Sequence, residues 1–413
     1  MEALTLNKVA DPKFRDEILE RIVPQATKMD FNYCLSCGTC AAGCIFSDVH
    51  DNSDPRKFMR KIVLGLKEEA LADPFIWVCT ACGRCTMHCP MGIVMPNVVR
   101  CLRGKFGLTS PGTLQQVADT HLETGNQMGV TVEEFLDTVD WMQEELQEEL
   151  GDPNYKIPVD VQGAEILFIP HPREVKYYPE DIKTWSKIFL VAGISWTLST
   201  KAFDVTNFGL FNGRDDEATK IWQITVDAMK ELGCKRLVCT ECGHGYWAFK
   251  FGAQHWIKTD FPILHMVEFL AELLRDGKIK VDRSKNTEVV TVHDPCNTVR
   301  KGGVIDEPRY VLDLVCENFV EMWPNREYNL CCGGGGGALA MGKEIKEYRL
   351  KKGKFKAEQM MATGAEICCA PCHNCYDQLN DISKEFDLGL KVKHIFQLVE
   401  KALVWPEGMG PKE

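Results

Sequence analysis

Two short runs of cysteine constrain this chain more than any other feature. Both runs read C-x2-C-x2-C-x3-C, and the second is followed directly by Pro90. Their members are Cys34, Cys37, Cys40 and Cys44 in the first run and Cys79, Cys82, Cys85 and Cys89 in the second. Chance does not arrange two identical four-cysteine runs, so the fold must gather these thiols around common centres.

The spacing indicates two 4Fe–4S clusters of the ferredoxin type. Three thiolates two residues apart can wrap a loop around three corners of a cube, while the fourth ligates the other cluster in two-cluster ferredoxins. The crossed assignment places Cys34, Cys37, Cys40 and Cys89 on one cluster, and Cys79, Cys82, Cys85 and Cys44 on the other. Structural zinc is disfavoured because it usually takes C-x2-C pairs from separate loops.

The composition excludes some functions and narrows the compartment. A chain of 413 residues with a net charge of −11 lacks the clustered Lys and Arg of a nucleic-acid binder. Twenty cysteines in a long chain without a secretory signal indicate metal ligation in a reducing compartment. The longest apolar stretch, residues 188–196, has about half the length that crosses a bilayer. We expect a cytoplasmic protein that can lie peripherally on the cytoplasmic face of a membrane complex.

Four regions can be separated along the chain. Residues 1–110 hold the clustered cysteines and residues 111–160 form an acidic helical connector. Residues 161–280 and 285–405 look like two diverged copies of one α/β unit. The segments HMVEFL and HIFQLV mark the same point near the end of each copy.

Local patterns predict helices in the first two regions. Asp54 can cap a helix that starts at Pro55 and presents Phe58, Ile62 and Leu66 on one face, so the cluster domain should be helical. In the connector, Thr131 and Glu134 have the spacing of a capping box. The apolar stripe that follows consists of Val132, Phe135, Leu136, Val139, Met142, Leu146 and Leu150.

The two later regions alternate between strand and helix patterns. Buried strands are predicted at 165–169, 236–240, 288–292 and 366–370, and helices at 218–232 and 344–364. Such alternation predicts α/β units with largely parallel, Rossmann-like sheets. The fold class is therefore α/β, with a helical two-cluster domain followed by two α/β subdomains.

The second α/β copy carries another group of cysteines. They are Cys296, Cys331, Cys332, Cys372 and Cys375, and the adjacent pair is followed by five glycines. Glycines let a backbone approach a bulky object closely. Because these cysteines stand in three loops at one end of the predicted sheet, where α/β sheets usually bind ligands, we expect them to converge.

This pattern, behind a paired ferredoxin motif, resembles the cysteine-rich CCG domain and the D-type subunit of heterodisulfide reductases. The resemblance runs from about residue 30 to 400. It implies that the five cysteines bind a non-cubane 4Fe–4S cluster, with Cys369 and Cys372 as a competing frame for the last pair. It also implies partners such as a membrane cytochrome b-type or flavoprotein subunit, and a small-molecule or protein disulfide as substrate.

The first copy retains only part of this pattern. Cys239 and Cys242 survive, followed by His244, and two cysteines are too few for a five-thiolate site. We interpret this copy as a structural half. Cysteine and histidine are standard zinc ligands, so a zinc or modified cluster site at Cys239, Cys242 and His244 is the alternative, as is a redox-active C-x-x-C pair.

Two functions fit these motifs. The first is an oxidoreductase in which electrons pass from the two cubanes to the C-terminal cluster, where a disulfide-type substrate is reduced or formed. The second is an electron relay between a membrane quinone or cytochrome partner and a soluble reductase. The glycine run lacks the context of a nucleotide-binding loop, so a flavin or nicotinamide would have to come from a partner.

Overall fold

The structure combines a helical N-terminal part with two α/β units. It is a computed structural model that describes residues 10–22, 33–47 and 53–411. The expectation that the N-terminus carries no secretory signal concerns a stretch of which residues 1–9 and 23–32 lie outside the described ranges. Within the described ranges, no helix is both long and apolar enough to span a membrane.

Short helices dominate the N-terminal part. They are α1 (Phe14–Arg21), α2 (Thr39–Ala42), α3 (Pro55–Val63), α4 (Lys67–Leu71), α5 (Phe75–Val78), α6 (Arg84–Met87) and α7 (Met95–Lys105). The Asp54 side chain caps α3 by accepting the N–H of Lys57 at 2.8 Å, and Phe58 and Ile62 are fully buried, as predicted. Leu66 lies beyond the end of α3 and precedes α4.

Two longer helices connect this part to the sheets. They are α8 (Leu114–Thr124) and α9 (Val132–Leu150). The capping box of Thr131 and Glu134 is confirmed, and five residues of the predicted stripe are buried. Val132, the first helical residue, is instead 47% exposed.

The first α/β unit is a four-stranded sheet with helices around it. Its elements are β1 (Ile166–Ile169), α10 (Pro172–Lys176), α11 (Glu180–Ala192), β2 (Trp196–Thr197), α12 (Phe208–Asn212), α13 (Asp215–Leu232), β3 (Arg236–Cys239), α14 (Gly243–His255), β4 (Ile263–His265) and α15 (Met266–Arg275). All strand pairs are parallel, in the order β2-β1-β3-β4.

The second unit repeats this arrangement. Its elements are β5 (Val289–Val292), α16 (Glu307–Val315), β6 (Asn318–Phe319), α17 (Lys343–Met361), β7 (Ile367–Cys369), α18 (His373–Glu385), β8 (Lys391–Lys393) and α19 (Ile395–Lys401). The order β6-β5-β7-β8 matches that of the first sheet, and its pairs are also parallel. The α/β fold class and all four predicted buried strands are confirmed, and no strand bound differs from the predicted one by more than one residue.

Equivalent histidines mark the last helix of each unit. His265 and His394 both form capping boxes at the start of α15 and α19, as the repeated sequence segments indicated. The two helices belong to one hydrophobic core, together with Trp185 and Phe189 of α11 and Leu312 of α16. The two sheets therefore share a core that fixes the units against each other.

Candidate metal centres

Four thiols of the N-terminal part surround one cavity near the surface. Cys34, Cys37, Cys40 and Cys89 line it, together with Cys85 of the second run. Burial, followed by the charges of Cys34, Cys37 and Cys89, raises the pKa of Cys40 to about 11. Cys37 is exposed at the mouth. This grouping is the one that crossed ligation predicts for the first cluster, and we call the space the first cubane cavity.

A second cavity lies deeper and is lined by the remaining thiols. Cys44, Cys79, Cys82 and Cys85 face it. Burial, and then the charges of Cys82 and Cys79, raise the pKa of Cys44 well above its usual value. Cys44 thus stands with the second cysteine run, as Cys89 stands with the first. We call this space the second cubane cavity.

The two cysteine loops have the same backbone shape. Ser36 and Ala81 occupy equivalent positions with φ of +51° and +53°, and Gly38 and Gly83 follow with φ of +87° and +78°. Left-handed conformations are uncommon for residues other than glycine, so their recurrence shows that each loop wraps in the same way.

The five C-terminal cysteines are gathered where strands β5, β6 and β7 end. The Sγ atoms of Cys332 and Cys375 are 3.4 Å apart. Hydrogen bonding with Cys331, and then with Cys375, lowers the pKa of Cys332 well below its usual value. A hydrogen bond with Cys375 likewise lowers the pKa of Cys372. Burial raises the pKa of Cys296, and the charges of Cys82 and Cys332 act in the same direction.

Cys331 joins this group to the second cubane cavity. Its Sγ atom lies 3.2 Å from the Thr80 hydroxyl oxygen, and its interaction with the Cys82 thiol, followed by burial, raises the pKa of Cys82 well above its usual value. Cys331 also lines the second cubane cavity. The side chains of the two adjacent cysteines therefore make contacts on different sides, since Cys331 contacts the N-terminal part and Cys332 contacts Cys375.

The glycine run permits this close approach. A Cβ atom on Gly336 would lie 2.7 Å from the Cα of Thr80, and one on Gly334 would lie 2.6 Å from the carbonyl oxygen of Asn374. The glycine run was predicted to approach a bulky group closely, and the group that it approaches is the protein's own backbone at Thr80 and Asn374. Glycine is required because any side chain would push the Cys331 loop away from Thr80.

We expect Gly336→Ala to lower the melting temperature of the iron-loaded protein by several degrees more than Gly233→Ala. Both glycines have a φ of +64°, but nothing lies within 4 Å of a Cβ at Gly233. Both variants therefore share a conformational cost of about 1–2 kcal/mol, and only the first adds the overlap with Thr80, typically about 1–3 kcal/mol. Differential scanning fluorimetry under anaerobic conditions measures the difference. Equal melting temperatures would show that the Thr80 contact does not constrain the loop.

The competing frame for the last cysteine pair is not favoured by the structure. Cys369 lies in β7, fully buried, and burial, followed by the charges of Cys316 and Cys368, raises its pKa well above the usual value. Cys372 and Cys375 instead face Cys332. Cys369 is thus directed into the core of the shared sheets.

In the first unit, the proposed zinc ligands Cys239, Cys242 and His244 are not brought together. Within the described residues, they do not form a group whose ligand atoms could reach one ion. Cys239 is in β3, Cys242 accepts the N–H of Gly245 at 3.4 Å, and the Nε2 atom of His244 lies 3.0 Å from the carbonyl oxygen of Asn207. The C-x-x-C spacing suggested a joint site, but strand geometry holds Cys239 in the sheet while Cys242 caps α14.

Cys242 nevertheless borders the C-terminal group. Burial, and then the charge of Cys372, raise its pKa well above the usual value. A Cβ atom on Gly243 would lie 3.5 Å from the Cys372 Sγ. The incomplete copy therefore supplies a wall of the site formed by the complete one.

Several cations at the site could not be identified from the sequence. Lys356 of α17 is buried, and burial lowers its pKa to about 8 despite the nearby thiols of Cys332, Cys368 and Cys331. Arg300 donates to the carbonyl oxygen of Cys82 at 2.9 Å. Positive charges beside thiols favour the thiolate form that binds metal. No sequence pattern marks Lys356, because α17 contains many lysines and nothing separates this one from the others.

Arg103 fastens the second cysteine loop to the body of the protein. It is 2% exposed and donates to the carbonyl oxygens of Cys79 at 2.8 Å, Gly336 at 2.9 Å and Phe211 at 3.0 Å. These three oxygens belong to the N-terminal part, the glycine run and the first α/β unit. A single buried side chain thus fixes the distance between the two groups of thiols.

The donors present suit iron–sulfur clusters. The eight thiols of the two runs line two cavities, with Cys85 on both, and backbone N–H groups point at the sulfurs of Cys79, Cys331 and Cys332. Thiolates are the ligands that such clusters use, and hydrogen bonds to their sulfurs are typical. Buried thiols with raised pKa values stay protonated by themselves, and coordination to a metal releases their protons.

Comparison with known proteins supports the same class. Residues 33–94 match the 4Fe-4S dicluster domain, and residues 290–380 match the family described as Cysteine-rich domain (CCG). The chain is therefore an iron–sulfur protein of the oxidoreductase and electron-transfer type, with 4Fe–4S clusters.

The relatives define the class more narrowly. The chain is 26% identical to the Hdr-like menaquinol oxidoreductase iron-sulfur subunit 2 of Archaeoglobus fulgidus, over 91% of this chain and 80% of the relative. It is 33% identical to the D-type subunit of the dihydromethanophenazine:CoB–CoM heterodisulfide reductase of Methanosarcina mazei, over 46% of each chain. It is 25% identical to the EtfAB:quinone oxidoreductase of Syntrophomonas wolfei, over 81% of this chain and 47% of the relative. It is an iron–sulfur protein like the D-type subunits of heterodisulfide reductases.

Proposed function

We propose that this chain is the substrate-converting iron–sulfur subunit of a disulfide-type oxidoreductase. Its eight N-terminal cysteines hold two cubane clusters in the crossed arrangement. The C-terminal thiols of Cys296, Cys331, Cys332, Cys372 and Cys375 hold a third, non-cubane 4Fe–4S cluster at the substrate site. When bound, such clusters supply one-electron transfer.

The observation that carries this proposal is the position of Cys331. Its thiol contacts Cys82 and Thr80 of the second cubane cavity, while its neighbour Cys332 contacts Cys375. Cleaving a disulfide takes two electrons, which a single one-electron centre cannot supply in one step. A thiol-rich site placed directly beside a ferredoxin-type site meets that requirement.

Residues of the chain contribute charge and shape to the substrate site. Lys356 is held by a hydrogen bond to Asn329 at 2.9 Å and lies close to the thiols of Cys332 and Cys368. We propose that its positive charge stabilises thiolate at this site. Cys296 is only partly buried, which leaves an approach for a substrate on that side.

The second candidate is an electron relay without a substrate of its own. Two of the relatives favour it, since one is a menaquinol oxidoreductase subunit and another an EtfAB:quinone oxidoreductase. Under either function the partners would be redox subunits, such as a membrane cytochrome b-type or flavoprotein subunit. The chain would then lie peripherally on the cytoplasmic face of that membrane complex.

Iron and sulfide analysis with EPR on anaerobically purified protein tests the proposal. Three four-iron clusters predict about 12 irons, and two cubanes alone predict about 8. We expect the higher count, with a signal of the oxidised state that shifts on adding a thiol. A count of about 8 irons, with only ferredoxin-like signals in the reduced state, would contradict the proposed substrate site and favour the electron relay.

A further inference from the structure

We propose that the mouth of the first cubane cavity is the docking surface for a redox protein with an acidic surface. This inference rests on the proposed function and adds the chemistry of the partner. The docking surface consists of an apolar centre, Leu35 and Met91, and a basic rim, Arg56, Lys57 and Arg60.

The apolar centre surrounds the exposed thiol of the cavity. Leu35 is 66% exposed and Met91 is 39% exposed, and both line the first cubane cavity together with Cys37. Tyr33, two residues before Leu35 in the chain, is 59% exposed. Large apolar side chains grouped at the opening of a redox site are typical of an interaction surface.

Helix α3 supplies the basic rim. Its Met59 is buried and lines the cavity, while Arg56, Lys57 and Arg60 are exposed. Lys57 also lies 3.6 Å from the carboxylate of Asp54. Among the described residues that line the cavity, Arg56 is the only charged one. In a chain with a net charge of −11, this positive rim stands out from the overall acidity.

The second cubane cavity offers no comparable access. It is enclosed by Phe46 and Phe75, which are 3% and 1% exposed, and by Cys331. Electron transfer falls steeply with distance, so a protein partner must approach the first cubane cavity. A positive rim around an apolar centre complements a partner whose cofactor edge is ringed by Asp and Glu, and such charges raise the association rate.

The test follows electron transfer from an acidic flavodoxin to the oxidised holoprotein by anaerobic stopped flow. The flavin hydroquinone loses one electron to become the semiquinone, and the holoprotein gains that electron. We expect the second-order rate constant to fall as ionic strength rises. Replacing the rim by Arg56→Gln, Lys57→Gln and Arg60→Gln together should lower it about tenfold at low salt, within the range that electrostatic steering covers.

The matched control is Lys278→Gln, Lys280→Gln and Lys285→Gln. These exposed lysines precede β5, at the end of the sheet opposite to the cysteine loops. Their replacement removes three positive charges, as the rim variant does. We expect less than a twofold change from this control. A further variant, Leu35→Asp, should lower the rate by placing a negative charge in the apolar centre.

The methyl viologen radical, a small reductant, separates the two proposals. In one outcome, methyl viologen reduces the protein normally, with cubane EPR signals, while the rate with flavodoxin is the same at all salt concentrations and in the rim variant. That result would overturn the docking surface and leave the proposed function standing. Absent cubane signals would instead contradict the proposed function. A wild-type dimer that Leu35→Asp dissociates would make a second copy of the chain the occupant and would also overturn the proposal.

Discussion

The Cys332→Ala variant is expected to retain about 8 irons where the unaltered protein has about 12, while keeping the reduced-state signals of two cubanes. Cys332 is the centre of the C-terminal thiols, because its Sγ atom lies 3.4 Å from that of Cys375 and accepts the N–H of Gly334 at 3.4 Å. Disulfide turnover should fall by at least about 100-fold, since changes beyond the ligands alone cost about 10–100-fold. Iron analysis, EPR and disulfide reduction with a viologen donor measure the three effects.

Cys369→Ala is the control for this prediction. It makes the same substitution at a fully buried cysteine that packs near Cys316 rather than Cys332. We expect its iron content and its thiol-responsive signal to match those of the unaltered protein. A loss of about four irons in Cys369→Ala would instead restore the frame in which Cys369 pairs with Cys372.

The features that the sequence predicted well are encoded over short distances. Cysteine spacing determines how a loop can wrap, and the left-handed residues at Ser36 and Ala81 show that the two runs adopt one shape. The β-rich runs likewise predicted β5 and β7, in which Val290, Val292 and Ile367 are buried. Such patterns need no knowledge of what lies elsewhere in the fold.

The features that were missed depend on contacts between distant parts of the chain. Arg103 lies more than 200 residues before Gly336, to whose carbonyl oxygen it donates, and nothing in its neighbourhood marks it as buried. The contact of Cys331 with Thr80 likewise joins two domains whose relative placement no local pattern specifies. The structure does not favour the alternative of a joint site at Cys239, Cys242 and His244 for a related reason, because residue spacing does not indicate which side chains a strand buries in its sheet.

The crossed ligation of the cubanes predicts opposite results for two double variants that share Cys37→Ala. Adding Cys89→Ala should remove one cubane and leave about 8 irons, because Cys89 stands with Cys40 at the first cavity. Adding Cys44→Ala should remove both cubanes and leave about 4, because the Cys44 thiol stands with Cys82 and Cys79 at the second cavity. Ligation within each run would reverse these numbers.

Iron analysis, combined with EPR of the reduced state, reads out both double variants. Because each replaces two thiols, a general loss of stability would affect them alike, and circular dichroism checks that both are folded. The Cys37→Ala, Cys44→Ala protein should show no cubane signal yet keep the thiol-responsive signal of the C-terminal site. If it retains one cubane instead, Cys37 and Cys44 serve the same cluster, and the grouping of thiols around the two cavities does not correspond to ligation.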